Sequence, residues 1–419
     1  MKRRQFLKAM FGAGAALMAG GMRNPLEGTG LLFGAEPVSA QRLLVVFLRG
    51  GYDSVNVVVP YGDPDYYRLR PTIAIPAPNG TTSTALDLNG FFGFHPAMSS
   101  LMPAWQAGQV ALFPAVHYPN PSRSHFDSQQ IIESGVDNIG EVGVLGWLNR
   151  LLVQNTRLVP LQAFGFESSV PHSLRGSYSA LALPDLSRVS GSLSQTEADA
   201  LVAALEEVYG ASPASPHPHT GAVYETGQMF LQDLGFLRSV ASTAYTAANG
   251  AVYPSNGFAK QLQQLAQLIK TDCGLEVMTI SHGGWDTHSG QGGVSGNQAN
   301  RMLELSQSLA AFRTDLGSWG DGLTILVMSE FGREVGENAS GGTDHGHACT
   351  WMAIGPRVKG GVYGTWPGLS SSALDSGRFL AATVDYRDIM AQAALQLLPT
   401  AELADLFPGH DVQLPGYLL

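Results

Sequence analysis

Between positions 275 and 355 the chain alternates short apolar runs with one long amphipathic stretch, and this alternation restricts the fold more than any other feature. The runs 275–281, 323–328 and 350–355 have strand length and β-branched content, while 298–316 repeats its apolar positions at helical spacing. Strand, helix and strand joined over such distances specify a parallel sheet with right-handed crossovers. The run 42–48, Arg-Leu-Leu-Val-Val-Phe-Leu, is apolar almost throughout, the pattern of a strand buried on both faces. Further strands are expected at 109–116 and 161–166, and helices at 95–105, 144–150, 225–247 and 257–270. The expected class is therefore α/β, a mostly parallel central sheet with helices on both faces.

A chain of 419 residues with 44% hydrophobic content can bury a large core. No internal repeat or clear linker divides it, so 41–419 reads as one domain, with an irregular, partly helical insertion around 187–270. Within that insertion, the Pro-Ala-Ser-Pro-His-Pro-His stretch reads as a surface loop, which makes His217 and His219 solvent-facing residues rather than ligands. The net charge of -10 and the absence of a basic stripe beyond the N-terminus exclude nucleic acid as a partner. Cys273 and Cys349 are too few for a disulfide framework, leaving two buried thiols or a single bridge.

The N-terminus carries an address. Lys2-Arg3-Arg4-Gln5-Phe6-Leu7-Lys8 has the paired arginines of a twin-arginine export signal, followed by a modestly apolar run and by Val38-Ser39-Ala40 at a cleavage position. Residues 1–40 are expected to be a removed signal, engaging the twin-arginine translocation machinery and delivering a folded protein to the periplasm or outside the cell. The apolar run is short and glycine-rich against the ~20 residues a spanning helix needs, so no stable membrane span is expected in the mature form. A route for folded proteins favours enzymes that acquire a metal or cofactor before export.

Polar clusters follow the expected strands. Asp53 comes after Arg49-Gly50-Gly51; Asp286 and His288 follow the strand at 275–281; Glu330 and Arg333 follow 323–328; Asp344, His345 and His347 precede 350–355. In an open parallel sheet such residues share one rim, where nitrogen and oxygen ligands from distant loops can hold one or two divalent ions, zinc, calcium or magnesium. Each residue also has a plainer reading: Asp53 as a helix cap, and the Asp-His clusters as hydrogen-bonded loop networks without an ion. Ser124, between Arg123 and His125 at a helix start, is a nucleophile or a simple N-cap. Arg49, Arg123 and Arg333 lie close enough in sequence to grip an oxyanion, which points to an anionic small-molecule or polymer ester as substrate.

Six motifs, taken together with the export signal, resemble the bacterial domain-of-unknown-function family 1501. They are Leu-Arg-Gly-Gly-Tyr-Asp at 48–53, Val-Pro-Tyr-Gly-Asp-Pro-Asp-Tyr-Tyr at 59–67, Tyr-Pro-Asn-Pro-Ser-Arg-Ser-His-Phe at 118–126, Gly-Gly-Trp-Asp-Thr-His at 283–288, Met-Ser-Glu-Phe-Gly-Arg at 328–333 and Gly-Gly-Thr-Asp-His-Gly-His at 341–347. That family is similar to the alkaline phosphatase and sulfatase superfamily, whose sheet carries a two-metal site. The resemblance implies a metal-dependent phosphoesterase or sulfatase. It puts Asp53 at the first-strand metal aspartate, Ser124 in the nucleophile region, Asp286 and His288 at one metal site, Glu330 at a strand end, and His345 or His347 at the last metal histidine. Two departures stand out. Glu330-Phe331 replaces an Asp-His pair, and the Asp286 to His288 interval is short. A non-catalytic extracytoplasmic binding or assembly protein on the same fold is the alternative those departures raise.

Overall fold

The computed structural model describes residues 41–119, 121–155, 161–189, 195–209 and 220–419. The export segment 1–40, and His217 and His219, lie outside the described residues. In chain order the strands are β1 (Arg42–Leu48), β2 (Val58–Val59), β3 (Leu86–Asp87), β4 (Gly93–Phe94), β5 (Val110–His117), β6 (Ala163–Phe166), β7 (Leu181–Ala182), β8 (Val277–His282), β9 (Leu323–Met328), β10 (Cys349–Ile354), β11 (Gly361–Val362) and β12 (Val384–Asp385). A nine-stranded sheet runs in the order β11-β5-β10-β9-β1-β8-β6-β7, with β12 also on β5, and β2, β4 and β3 form a small separate sheet.

The central strand is β1. Every one of its residues is buried. Successive side chains of a strand point to opposite faces, so both faces of the sheet are covered there. It pairs in parallel with β8 and with β9, Val45 standing opposite both Thr279 and Leu326. The 20-residue helix Asn297–Leu316 makes the crossover between these two partners and packs on the helix Gly257–Ile269. The helices Gln195–Tyr209 and Thr220–Ser242 pack on one another within the 187–270 region. Among the described residues no helix is long and apolar enough to cross a membrane. Cys273 and Cys349 are both buried and both free, which removes the single-bridge option.

One expected crossover is absent. β10 pairs antiparallel with both β9 and β5. Between β9 and β10 the chain forms turns and bends rather than a helix, and without a crossover it can only return along the same edge. The reversal has a consequence for function. It brings residues just before β10 to the edge where β1, β5, β8 and β9 end, so His345 still reaches the rim.

Buried histidines, His95 and His117 among them, give the fold an acid sensitivity. His95 caps the turn Pro96–Leu101, its Nδ1 accepting the Ala97 N–H at 3.0 Å while Nε2 faces the Gly293 carbonyl at 3.1 Å. Burial lowers His95 to about 4 and His117 to about 3. An unfolded chain takes up these protons below about pH 6.5, the ordinary histidine value, whereas the folded chain resists them until pH 3–4. These groups cost no stability above about pH 6.5, and stability is lost as pH falls from there toward the folded values. The melting temperature is expected to drop between pH 6.5 and 4, and His95→Gln should flatten the slope in thermal melts taken across that range.

Candidate metal centre

Four segments converge on the rim. β5 feeds a loop that opens the helix His125–Ser134; β8 ends before Asp286 and His288; β9 ends before Glu330 and Arg333; the return to β10 carries His345. Gly50 and Gly51 after β1 let these loops come together. Gly50 has φ +125°, and a Cβ there would lie 2.6 Å from the Asp286 backbone nitrogen. Gly51 has φ +60°, and its Cβ would strike the Phe331 ring.

His125, Asp286 and His345 each offer an atom within 4.8 Å of the others, an arrangement that could hold a metal ion. His288 joins them, with its Nε2 3.0 Å from both Asp286 Oδ1 and His345 Nε2. Every imidazole is fixed from behind. His345 Nδ1 faces the Arg123 carbonyl at 2.9 Å, His288 Nδ1 faces Asp344 Oδ1 at 2.8 Å, and His125 Nδ1 faces Glu330 Oε1 at 2.7 Å. A carbonyl or ionised carboxylate only accepts, so each ring carries a proton on Nδ1, which in the neutral ring leaves an Nε2 lone pair facing inward.

The inward atoms are therefore electron-rich and close together. Asp286 Oδ1 is 3.1 Å from His345 Nε2, and Asp286 Oδ2 is 3.5 Å from His125 Nε2, a buried nitrogen with no hydrogen-bond partner. A single added proton relieves one such pair. One cation relieves all of them. Ligands on a tetrahedral ion with bonds of ~2.0–2.1 Å stand roughly 3.3 Å apart, and the spacings of 3.0, 3.1 and 3.5 Å fall around that figure.

Electrostatics set the charge states. Burial alone would raise Asp286, but Arg333 and His345 outweigh it and lower the carboxyl to about 2. The Glu330 hydrogen bond, opposed by burial, raises His125, while burial lowers His345. The Arg333 side chain is fully buried, its Nη2 2.5 Å from Asp286 Oδ1, and its remaining bonds go to the carbonyls of Gly50, Gly51, Trp285 and Thr343. It is thus occupied and not free to grip an oxyanion.

The other expected site residues lie as follows. Glu330 is buried, and its oxygens accept from His125, from the Gly50 N–H at 2.8 Å, from Gln129 at 3.1 Å and from Ser329 at 2.9 Å, so it holds a ring rather than facing the centre. Asp344 plays the same part behind His288, with Asn338 3.3 Å away. Asp53 is buried with both oxygens on Arg70, at 2.5 and 2.9 Å, and with Gln291 2.6 Å from Oδ2. His347 turns away to Asp375 at 2.6 Å and lies against the Phe379 ring. Ser124 is the N-cap of His125–Ser134, accepting the Asp127 N–H at 3.4 Å. Arg123 is exposed, its guanidinium 5.1 Å above the Phe379 ring. Arg49 donates to Ser281 and Gln129 at 2.8 Å each and to Glu133 at 2.6 Å.

His125 is not among the residues expected as ligands from the sequence, yet it belongs to the cluster. The signal was present: β5 ends at the same rim, and the first helical residue after its loop is a histidine. Phe331 stacks on the His125 ring with 4.9 Å between centroids. Loss of an outer partner typically costs 10–100-fold in metal affinity. Glu330→Gln is accordingly expected to weaken binding of a divalent ion at these residues by about that factor, measured by competition against a chromophoric chelator.

Residues 239–410 match the family described as protein of unknown function (DUF1501). No curated protein gives a significant sequence match. Solved structures similar to the chain include Ps i-CgsB in complex with k-i-k-neocarrahexaose, at 11% identity over 88% of this chain and 74% of that one, TM-score 0.39. The PsFucS1 sulfatase from Pseudoalteromonas sp. is 12% identical over 89% and 71%, TM-score 0.37. The alkaline phosphatase from the Antarctic bacterium TAB5 is 9% identical over 77% and 95%, TM-score 0.30.

Proposed function

We propose that this chain, similar over residues 239–410 to the DUF1501 family of unknown function, is an exported hydrolase of phosphate or sulfate esters that works with one divalent ion. The carrying observation is the convergence of His125, Asp286 and His345, with His288 Nε2 3.0 Å from two of them and each ring fixed through Nδ1. The donor set favours zinc, because calcium and magnesium take oxygen ligands almost exclusively. A bound divalent ion supplies polarisation of a phosphoryl or sulfuryl oxygen and a lowered pKa for water.

In this reading His125, Asp286, His288 and His345 hold the ion, and Glu330 and Asp344 keep the rings in their tautomers. The exposed Arg123 guanidinium and the N-terminus of His125–Ser134 favour an anionic ester beside them. Ser124, the residue before His125, is the hydroxyl that this reading assigns to attack. Delivery to the periplasm or the exterior belongs to the same proposal and rests on the paired arginines of the N-terminus. A second reading, a binding or assembly protein without turnover, is favoured by the capping role of Ser124, which leaves the hydroxyl partly engaged.

The test is metal analysis of the folded, exported protein together with turnover of aryl phosphate, phosphodiester and aryl sulfate substrates. Zinc near one equivalent, with turnover lost to chelator and to Asp286→Ala, is the expected result. A metal-free protein that turns over none of these substrates would favour the second reading.

A further inference from the structure

We infer that Gln291 is a positioning residue whose single side-chain oxygen ties together the two loops that carry Asp286, His288 and His345. The inference rests on the metal reading above and concerns how the ligands are held in place. Gln291 is fully buried. Its Oε1 accepts from the Thr287 hydroxyl at 2.9 Å and from the Thr343 hydroxyl at 2.7 Å. Thr287 lies between Asp286 and His288, and Thr343 lies two residues before His345. One oxygen therefore bridges both sides of the centre.

The amide has only one workable orientation. Its Nε2 donates to Asp53 Oδ2 at 2.6 Å, and a carboxylate that also receives Arg70 cannot donate in return. Asp53 and Arg70 thus fix the direction of Gln291, and Gln291 fixes the two hydroxyls. The backbone follows the same geometry: Thr343 N–H meets the Thr287 carbonyl at 3.2 Å, and Gln291 N–H meets the Gly341 carbonyl at 2.9 Å. Asp53 is in turn tied to the helix Asn297–Leu316, its carbonyl accepting from Gln298 Nε2 at 2.7 Å. Ligand sites need their donors held within about 0.5 Å, and this buried chain of bonds supplies such a reference from the sheet and a long helix.

Isosteric variants cut one leg at a time without opening a cavity. Thr287→Val and Thr343→Val each remove one hydroxyl, and the serine versions restore it. With Zn2+ as the probe, competition against a chromophoric chelator is expected to show about a 10-fold loss of affinity for each valine variant and a larger loss for the double variant, with near wild-type affinity for the serines. With Co2+ at saturation, the visible ligand-field bands of the double valine variant should shift, a change that lowered fold stability alone would not produce. Wild-type zinc affinity and unchanged cobalt bands in the double variant would overturn the clamp while leaving the metal centre intact. A wild-type protein that binds neither ion would overturn both.

Discussion

Replacing His345 by alanine is expected to lower zinc affinity well beyond the roughly 10–100-fold that an outer partner costs, and to abolish turnover with it. The reason is geometric. Its Nε2 is within 3.1 Å of Asp286 Oδ1 and 3.0 Å of His288 Nε2, so its loss breaks the set on two sides. His347→Ala makes the matched control. It lies two positions away, yet it bonds Asp375 and packs on Phe379, and zinc content is expected to stay at the wild-type level. Metal analysis of the two purified variants separates a centre built on one histidine of the Asp-His-Gly-His stretch from one that uses both. Equal loss in both would mean that loop integrity, rather than ligation, sets the affinity.

The same contrast shows what could be read from the chain alone. Strand positions were legible because burial on both faces demands unbroken apolar runs; 42–48 and 323–328 match β1 and β9 residue for residue. The direction of β10 was not legible, since an apolar run is identical read either way and only the missing helix before it argued for a return. At the rim, residue type indicated where the polar side chains gather but not which way each one faces. Glu330 and Asp344 have the chemistry of ligands yet sit behind the rings. His125 was hidden beside Arg123 and Ser124, because ligand choice depends on tertiary direction and periodicity carries no record of it. Asp53 was the most misleading position: its place after β1 is that of a rim carboxylate, while the residue that claims it, Arg70, comes from the end of the short helix Pro64–Leu69.

That buried pair carries a large expected stability effect. Arg70→Leu leaves the Asp53 carboxylate with Gln291 as its remaining side-chain donor, in a position with no access to water. Stranding one charge of a buried pair costs about 3–5 kcal/mol, and the melting temperature should fall accordingly. Asp53→Asn should cost less, because Arg70 would still donate to the carbonyls of Val335 at 2.7 Å and Glu334 at 3.2 Å. Combining the two changes removes the stranded carboxylate and should recover part of the loss seen in Arg70→Leu. Thermal and denaturant melts of the three variants give the order, Arg70→Leu lowest, the double variant above it and Asp53→Asn highest. If the double variant is instead as unstable as the sum of the singles, Arg70 stabilises by packing its side chain among its neighbours, and charge pairing with Asp53 is not what holds this part of the rim together.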